Sequence, residues 1–355
     1  MDVREFDFDL PPELIAQEPA IDRTAARLLH LDRASGRIMH TTISGLPDLL
    51  HPGDLLVVND TRVFPARLLG RRVPSGGAVE CLLIGRCQAP VPGTESTAEW
   101  EALMHPGQKL KPGARVVFEG AKTLHAEVLE RLFFGRRRIR LATQDGSDVD
   151  AAIDAIGHVP LPPYIKRSDR DADRDRYQTV YAAARGSVAA PTAGLHFTPA
   201  LLDALSARGV ERTTITLHVG YGTFQPVRAD RVENHRLEAE RYRITGEAAS
   251  AIEGARRDGR RVIAVGTTTT RTLEAVAQAH DGSIVATEGS SDLFIYPGFR
   301  FRVIAGLLTN FHLPKSSLIM LVAAFAGLDH VRHAYDVAIA QRYRFYSYGD
   351  AMLVL

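Results

Sequence analysis

Histidine, threonine and arginine recur in this chain at the ends of apolar runs, where a side chain can reach a ligand without breaking the core. The stretch GSVAAPTAGLHFT, residues 186–198, threads His196 through glycine, alanine, serine, threonine and proline with no charged side chain. Small residues let a ligand or a second backbone approach the main chain closely, and proline and glycine fix turns at the expense of regular structure. The run suits a tightly packed turn or the wall of a pocket in which an imidazole gives or takes a proton. RRVIAVGTTTTRTLEAV, residues 260–276, reads as an apolar strand, a glycine, four threonines and a helix. A helix start offers free N–H groups. With the hydroxyls of Thr267, Thr268 and Thr269 and the charge of Arg271, these suit a carboxylate, a phosphate or a ribose. Plain capping would use only one of the threonines. No Gly-Lys-Ser/Thr follows, so this is not a Walker loop.

TLHVGYGTFQPVR, residues 216–228, sets His218 at a strand end before Gly220, Tyr221, Gly222 and Thr223, the place where α/β folds build sites. In VENHRLEAE, His235 has Glu238 and Glu240 close by. A carboxylate near an imidazole raises its basicity, and an exposed helix face accounts for the spacing equally well. LLTNFHLPKSSLIMLVAAF, residues 307–325, joins a strand to a buried helix through Asn310 and His312, with Ser316 or Ser317 as the cap. DRDADRDRY alternates aspartates from Asp169 much as a calcium loop does, but Arg174 and Val180 stand where glycine and glutamate are required. Cys81 and Cys87 are separated by five residues, which is neither a zinc-knuckle spacing nor a disulfide framework. No metal is expected.

A formal charge of +1 neither requires nor excludes nucleic acid, because binding depends on a local basic face. Such clusters occur at Arg71 and Arg72, at Arg136, Arg137, Arg138 and Arg140, and at Lys166 and Arg167. Each is either a solvated face or part of a phosphate-binding surface. Near the C-terminus YRFYSYGDAMLV interleaves Tyr343 and further aromatics with Arg344. That pattern suits stacking on an unpaired base, or an edge strand that buries alternate aromatics.

These stretches need a scaffold, and the length of 355 residues points to two domains. Between about residues 62 and 145, short apolar runs such as ARLLG, AVECLLIG and ARVVFEG are separated by VPSGGA, APVPGTES and HPGQKLKPG. This texture predicts an antiparallel β-barrel or sandwich. From about residue 150, helical patterns alternate with strand candidates, which predicts an α/β layer. GDLLVVND, near residue 55, resembles the buried strands of the second half. The expected architecture is an α/β domain built from both ends of the chain, residues 1–61 and 151–355, with a barrel domain inserted at 62–150. The acidic N-terminus lacks a signal-peptide pattern and SLIMLVAAFAGL is too short to span a bilayer, so a cytoplasmic protein is expected.

Taken together, these segments closely resemble the S-adenosylmethionine:tRNA ribosyltransferase-isomerase family of queuosine biosynthesis. FDLPPELIAQEP, GDLLVVNDTRVFPARL, GHVPLPPYIKR, VAAPTAGLHFT, ITLHVGYGTFQPVR, RVIAVGTTTTRTLE, LLTNFHLPKSSLIMLVAAFAG and YRFYSYGDAML carry the likeness nearly end to end. The chain departs from the usual pattern at Glu238, where the family commonly has histidine, and at GTTTT, which replaces the more common GTTSV. The resemblance implies a monomer acting on the wobble base of tRNAs with a GUN anticodon (Asp, Asn, His and Tyr acceptors). The ribosyl group of S-adenosylmethionine would move to an aminomethyl-deazaguanine, giving epoxyqueuosine, adenine and methionine. S-adenosylmethionine would be a co-substrate, with no cofactor besides. On this reading His196, His218 and His235 compete to be the acid or base, and Thr192 and Gly194 line the ribosyl group. Asn59, Asp60 and Arg62 would grip a ligand at the domain junction; Thr267 to Thr269 with Arg271 would hold the methionine carboxylate or a phosphate. Tyr221, Thr223, Asn310 and His312 complete the expected substrate set, and the basic clusters with Tyr343 and Arg344 would meet tRNA.

Overall fold

The structure, a computed structural model, describes residues 1–88, 92–224 and 227–355, leaving aside the side chains of Phe134, Thr223 and Phe224. The chain begins with β1 (Arg27–Leu31), β2 (Ile38–Thr42), the single turn α1 (Leu46–Leu49) and β3 (Leu55–Asn59). After β4 (Thr61–Val63) come β5 (Arg67–Val73), β6 (Ala78–Arg86), β7 (Thr97–His105), β8 (Arg115–Glu119), β9 (Thr123–Arg131) and β10 (Arg136–Thr143), then α2 (Val149–Ile156). The second half supplies α3 (Asp173–Arg176), β11 (Ala184–Ser187), α4 (Pro199–Ala207), β12 (Glu211–Leu217), β13 (Glu240–Ile244), α5 (Gly246–Arg257) and β14 (Val262–Val265). It closes with α6 (Thr267–Ala279), β15 (Thr287–Ser291), β16 (Gly306–Asn310), α7 (Ser317–Ala326), α8 (Leu328–Ala340) and β17 (Ala351–Val354).

Strands β5 to β10 close into an antiparallel barrel in the order β10-β7-β6-β5-β8-β9. Their period-two pattern fills its interior: on β7, Ala98, Trp100, Ala102 and Met104 point inward while the residues between them face outward. Helix α2 adds Val149, Ala152 and Ile153 to the same core, so the barrel's packing extends beyond its last strand.

Of the remaining strands, β4 pairs with β11 in a separate two-stranded sheet, and the other nine form a sheet ordered β15-β13-β12-β3-β14-β16-β17-β1-β2. It draws β1, β2 and β3 from one end of the chain and the others from the second half, with the barrel inserted between them. At its centre β12, β3, β14 and β16 run parallel. Every residue of β3, β14 and β16 is buried, because helices cover both faces of the sheet. Their C-terminal ends, Asn59, Leu217, Val265 and Asn310, therefore share one edge, where open α/β sheets bind ligands.

Two local readings differ from the structure. After His235 the chain runs extended into β13, with only a 3₁₀ turn at Val232–Asn234 before it, so no helix face forms there. The aromatic stretch near the C-terminus is not an edge strand. Arg342 and Tyr346 adopt left-handed backbone angles that break any strand, and Tyr343 and Phe345 are driven into the core of the sheet domain. Among the described residues no helix is long and apolar enough to cross a membrane.

Candidate active site

Two cavities meet at the C-terminal edge of the central strands. A junction cavity of about 640 Å³ opens between Arg86, Glu101 and Arg136 of the barrel and His218, Glu240 and Arg271 of the sheet domain. An inner cleft of about 70 Å³ lies deeper, between residues 189–193, the start of α6, and Asn310, His312 and Tyr346. Val219 and Leu318 wall both cavities, so the two are adjacent.

The small-residue stretch forms a 3₁₀ turn, Thr192–His196, against β16. Thr192 lines the inner cleft, as do Ala189, Ala190 and Ala193. Gly194 does not line it. A Cβ there would come 2.2 Å from the Tyr181 hydroxyl oxygen and 2.8 Å from Thr179 Cγ2, so this glycine makes room for a packed tyrosine. Gly266, at φ 92°, turns β14 into α6 and leaves that helix without a side-chain cap. The first N–H groups of the helix consequently face the cleft beside Thr267 and Thr268. Thr269 is turned inward, its hydroxyl donating to Val265 O at 2.8 Å.

His196 is buried beside Asn310, its Nε2 3.3 Å from Asn310 Nδ2. That amide nitrogen also donates to Tyr346 O at 3.0 Å. Desolvation lowers the His196 pKa to about 4 and that of His312 to about 3, so both rings are neutral near pH 7. His312 Nε2 lies 2.8 Å from Thr309 Oγ1, and its backbone N–H donates to the Tyr335 hydroxyl at 2.9 Å. His218 lines the junction cavity, with Nδ1 2.9 Å from Thr61 Oγ1. Desolvation lowers its pKa as well. His235 stacks edge-on against Phe294, a wall of that cavity, and lies one layer behind it.

Asn59 is spent on structure: its amide bonds both the N–H and the carbonyl of Leu217 and accepts from Thr61 N, clamping β3 to β12. Asp60 accepts from Thr216 Oγ1 at 2.6 Å, and burial raises its pKa. Arg62 is exposed on a separate cavity beside Arg174 and Asp175. None of these three lines the junction cavity or the inner cleft. Tyr221 borders a further cavity of about 670 Å³ between the barrel and the loop 160–168. The Thr223 side chain lies outside the described residues.

Arg271 pairs with Glu240 where both are nearly buried, and Glu240 also accepts from Gly220 N at 2.8 Å. Arg271 Nε has no hydrogen-bond partner among the described residues. The sequence gives little warning of two further cleft residues. Tyr164 and Tyr346 stack at 4.5 Å from distant segments, and Tyr164 reaches Ser347 Oγ at 2.5 Å.

The basic clusters divide. Arg137 is 1% exposed and donates to the carbonyls of Leu110, Gly135, Arg136 and Gly107, which makes it an internal tie and removes it from any tRNA surface. Tyr343 is equally buried, under the Arg27 guanidinium and bonded to His40, so it cannot stack on a base. Arg167 is committed to Asp173 and Glu18. Arg138 pairs across strands with Glu130, and Arg140 with Glu99 and Glu127. Arg136 joins Glu101 of the barrel to Glu238 of the sheet domain at the junction cavity. Arg72 is half-buried and Arg344 donates weakly to Glu18 O. Arg71 and Lys166 are exposed and pair with no carboxylate among the described residues.

A family model described as a queuosine biosynthesis protein matches residues 3–354. The chain belongs to this family. It is 50% identical over 355 residues to the S-adenosylmethionine:tRNA ribosyltransferase-isomerase of Heliobacterium modesticaldum, covering 100% of each chain. Identity to the enzyme of that name from Caldanaerobacter subterraneus subsp. tengcongensis is 52% over 351 residues, 99% of each chain. The solved S-adenosylmethionine tRNA ribosyltransferase of Thermotoga maritima aligns at a TM-score of 0.55 and 39% identity, covering 99% of this chain and 100% of that one.

Proposed function

We propose that the chain moves the ribosyl group of S-adenosylmethionine onto 7-aminomethyl-7-deazaguanine at the wobble position of tRNAs with a GUN anticodon. The products are epoxyqueuosine-tRNA, adenine and methionine. Membership of the family makes it a transferase-isomerase of queuosine biosynthesis. The observation that carries the finer reading is the pair of adjacent cavities. The small one, with Tyr164, Phe311 and Tyr346 among its walls, suits one edge of the adenine of S-adenosylmethionine. The large one is polar and open toward the barrel, with room for a base splayed out of an anticodon loop.

The chemistry assigns separate work to the residues present. The sulfonium acidifies the adjacent 5′ C–H, so a neutral base must stand beside it in a site that excludes water. His218 fits that role: its ring lines the junction cavity, Thr61 fixes Nδ1, and Nε2 has no hydrogen-bond partner among the described residues. Burial keeps it unprotonated near pH 7. Arg271, with a free Nε and Glu240 alongside, presents a cation and an anion that complement the carboxylate and ammonium of the methionine end.

The test is to incubate the protein with S-adenosylmethionine and tRNA bearing the aminomethyl base, and to assay adenine, methionine and S-adenosylhomocysteine together. Adenine and methionine in equal amounts are expected. S-adenosylhomocysteine would indicate methyl transfer, and tRNA binding without either product would leave a binding protein that retains the fold.

A further inference from the structure

His196 is the only histidine whose ring nitrogen meets an asparagine amide among the described residues, and that amide belongs to a wall of the inner cleft. Asn310 is 1% exposed. Its Nδ2 has two acceptors, Tyr346 O at 3.0 Å and His196 Nε2 at 3.3 Å, while its Oδ1 has no partner among the described residues. A neutral imidazole that keeps Nε2 as an acceptor holds the amide in this orientation, because the flipped amide would set oxygen against both the Tyr346 carbonyl and an imidazole lone pair. A buried, unpaired amide oxygen is costly unless something donates to it. Asn310 is a wall of the cleft that the start of α6, left without a side-chain cap by Gly266, also lines, so a buried acceptor and backbone N–H donors share it.

We infer that Asn310 Oδ1 accepts a hydrogen bond from the exocyclic 6-amino group of the adenine of S-adenosylmethionine, and that His196 is the positioning residue that aims it. This deepens the proposed function and rests on it. An acceptor beside donors complements the amino-and-ring-nitrogen edge of adenine and opposes the 6-oxo edge of hypoxanthine. The inner cleft is too small for a whole purine. The amino edge enters it, and the ring extends between Val219 and Leu318 toward the junction cavity. The stacked rings of Tyr164 and Tyr346 give the cleft a flat apolar side. His196 accordingly belongs to the orientation of the leaving base, and the small residues around it let β16 and the 3₁₀ turn come close enough for the contact.

The experiment compares S-adenosylmethionine with its inosine analogue in adenine or hypoxanthine release, and adenosine with inosine in equilibrium binding. It uses the wild type, His196→Gln, His196→Leu and Asn310→Ala. A glutamine carbonyl can still accept from Asn310 Nδ2, whereas leucine cannot. The expected wild-type preference for the 6-amino base is roughly tenfold to a hundredfold, the effect of leaving one buried acceptor unpaired. It should persist in His196→Gln and collapse in His196→Leu and Asn310→Ala. Equal use of both bases by the wild type, or a preference that survives in Asn310→Ala, overturns the inference. Loss of turnover in His196→Gln with the base preference intact does so too, because it makes His196 a proton-transfer group. If the wild type releases no base at all, the proposed function fails, and the binding comparison still decides the inference.

Discussion

Replacing His196 by glutamine should change how the protein responds to acid, by an amount that follows from its burial. The folded imidazole titrates near pH 4, against about 6.5 for an unfolded histidine. Because the folded value lies below the unfolded one, the unfolded chain takes up the proton first. Stability is therefore lost as pH falls below about 6.5, and the loss levels off once pH passes the folded value. At pH 5 the unfolded ring is charged and the folded ring is still neutral. The gap of about 1.5 pH units at about 1.36 kcal/mol each makes His196 responsible for about 2 kcal/mol of destabilisation relative to pH 7. Glutamine keeps an acceptor for Asn310 and does not titrate. Urea unfolding of both proteins at pH 7 and pH 5 measures the difference directly, with every other titrating group, His312 included, cancelling between them. The variant should lose about 2 kcal/mol less than the wild type on acidification. An identical loss in both would mean that the His196 ring is not held neutral, and would refute the acceptor role given to its Nε2.

Further outcomes follow from other contacts. Gly194→Ala should lower stability by about 1–3 kcal/mol through overpacking, and adding Tyr181→Phe, which removes the oxygen 2.2 Å from the new Cβ, should restore part of it in thermal unfolding. Arg271→Met leaves Glu240 buried without its cation, and should cost about 3–5 kcal/mol in chemical denaturation and weaken S-adenosylmethionine binding in calorimetry. Neutralising Arg71 and Lys166 together should flatten the salt dependence of tRNA binding by about one to two in slope, whereas Arg138 and Arg140, already paired with carboxylates, should change it little. His218→Gln should abolish turnover while leaving S-adenosylmethionine affinity near that of the wild type; near-normal turnover would remove it as the base.

The architecture was legible because it rests on periodicity. Short apolar runs such as AVECLLIG and ARVVFEG between turn residues fit barrel strands, and the wholly apolar VIAV suited a sheet covered on both faces. The convergence of the inner cleft was legible in part: Thr192, Thr267, Thr268, Asn310 and His312 all face it. Their pairing was not, since the Asn310–His196 contact joins residues 114 positions apart. Nor did the basic clusters reveal their partners. Arg138 and Arg140 meet Glu130, Glu127 and Glu99 only because β7, β9 and β10 are neighbours in a closed barrel, and strand order is a property of the closed fold. Arg137 and Tyr343 were misread for a related reason. Arginine and tyrosine are amphipathic, and composition alone does not say whether their polar ends meet solvent or the carbonyls of a turn.

The most direct test of the central claim follows the ribose itself. S-adenosylmethionine carrying carbon label throughout its ribose would be incubated with the protein and tRNA bearing the aminomethyl-deazaguanine base, and the digested nucleosides examined by mass spectrometry. The account predicts that the complete ribosyl label appears in a single modified wobble nucleoside with the mass of epoxyqueuosine, while adenine is released unlabelled. Label confined to unreacted S-adenosylmethionine, or leaving with adenosine-containing products, would contradict it.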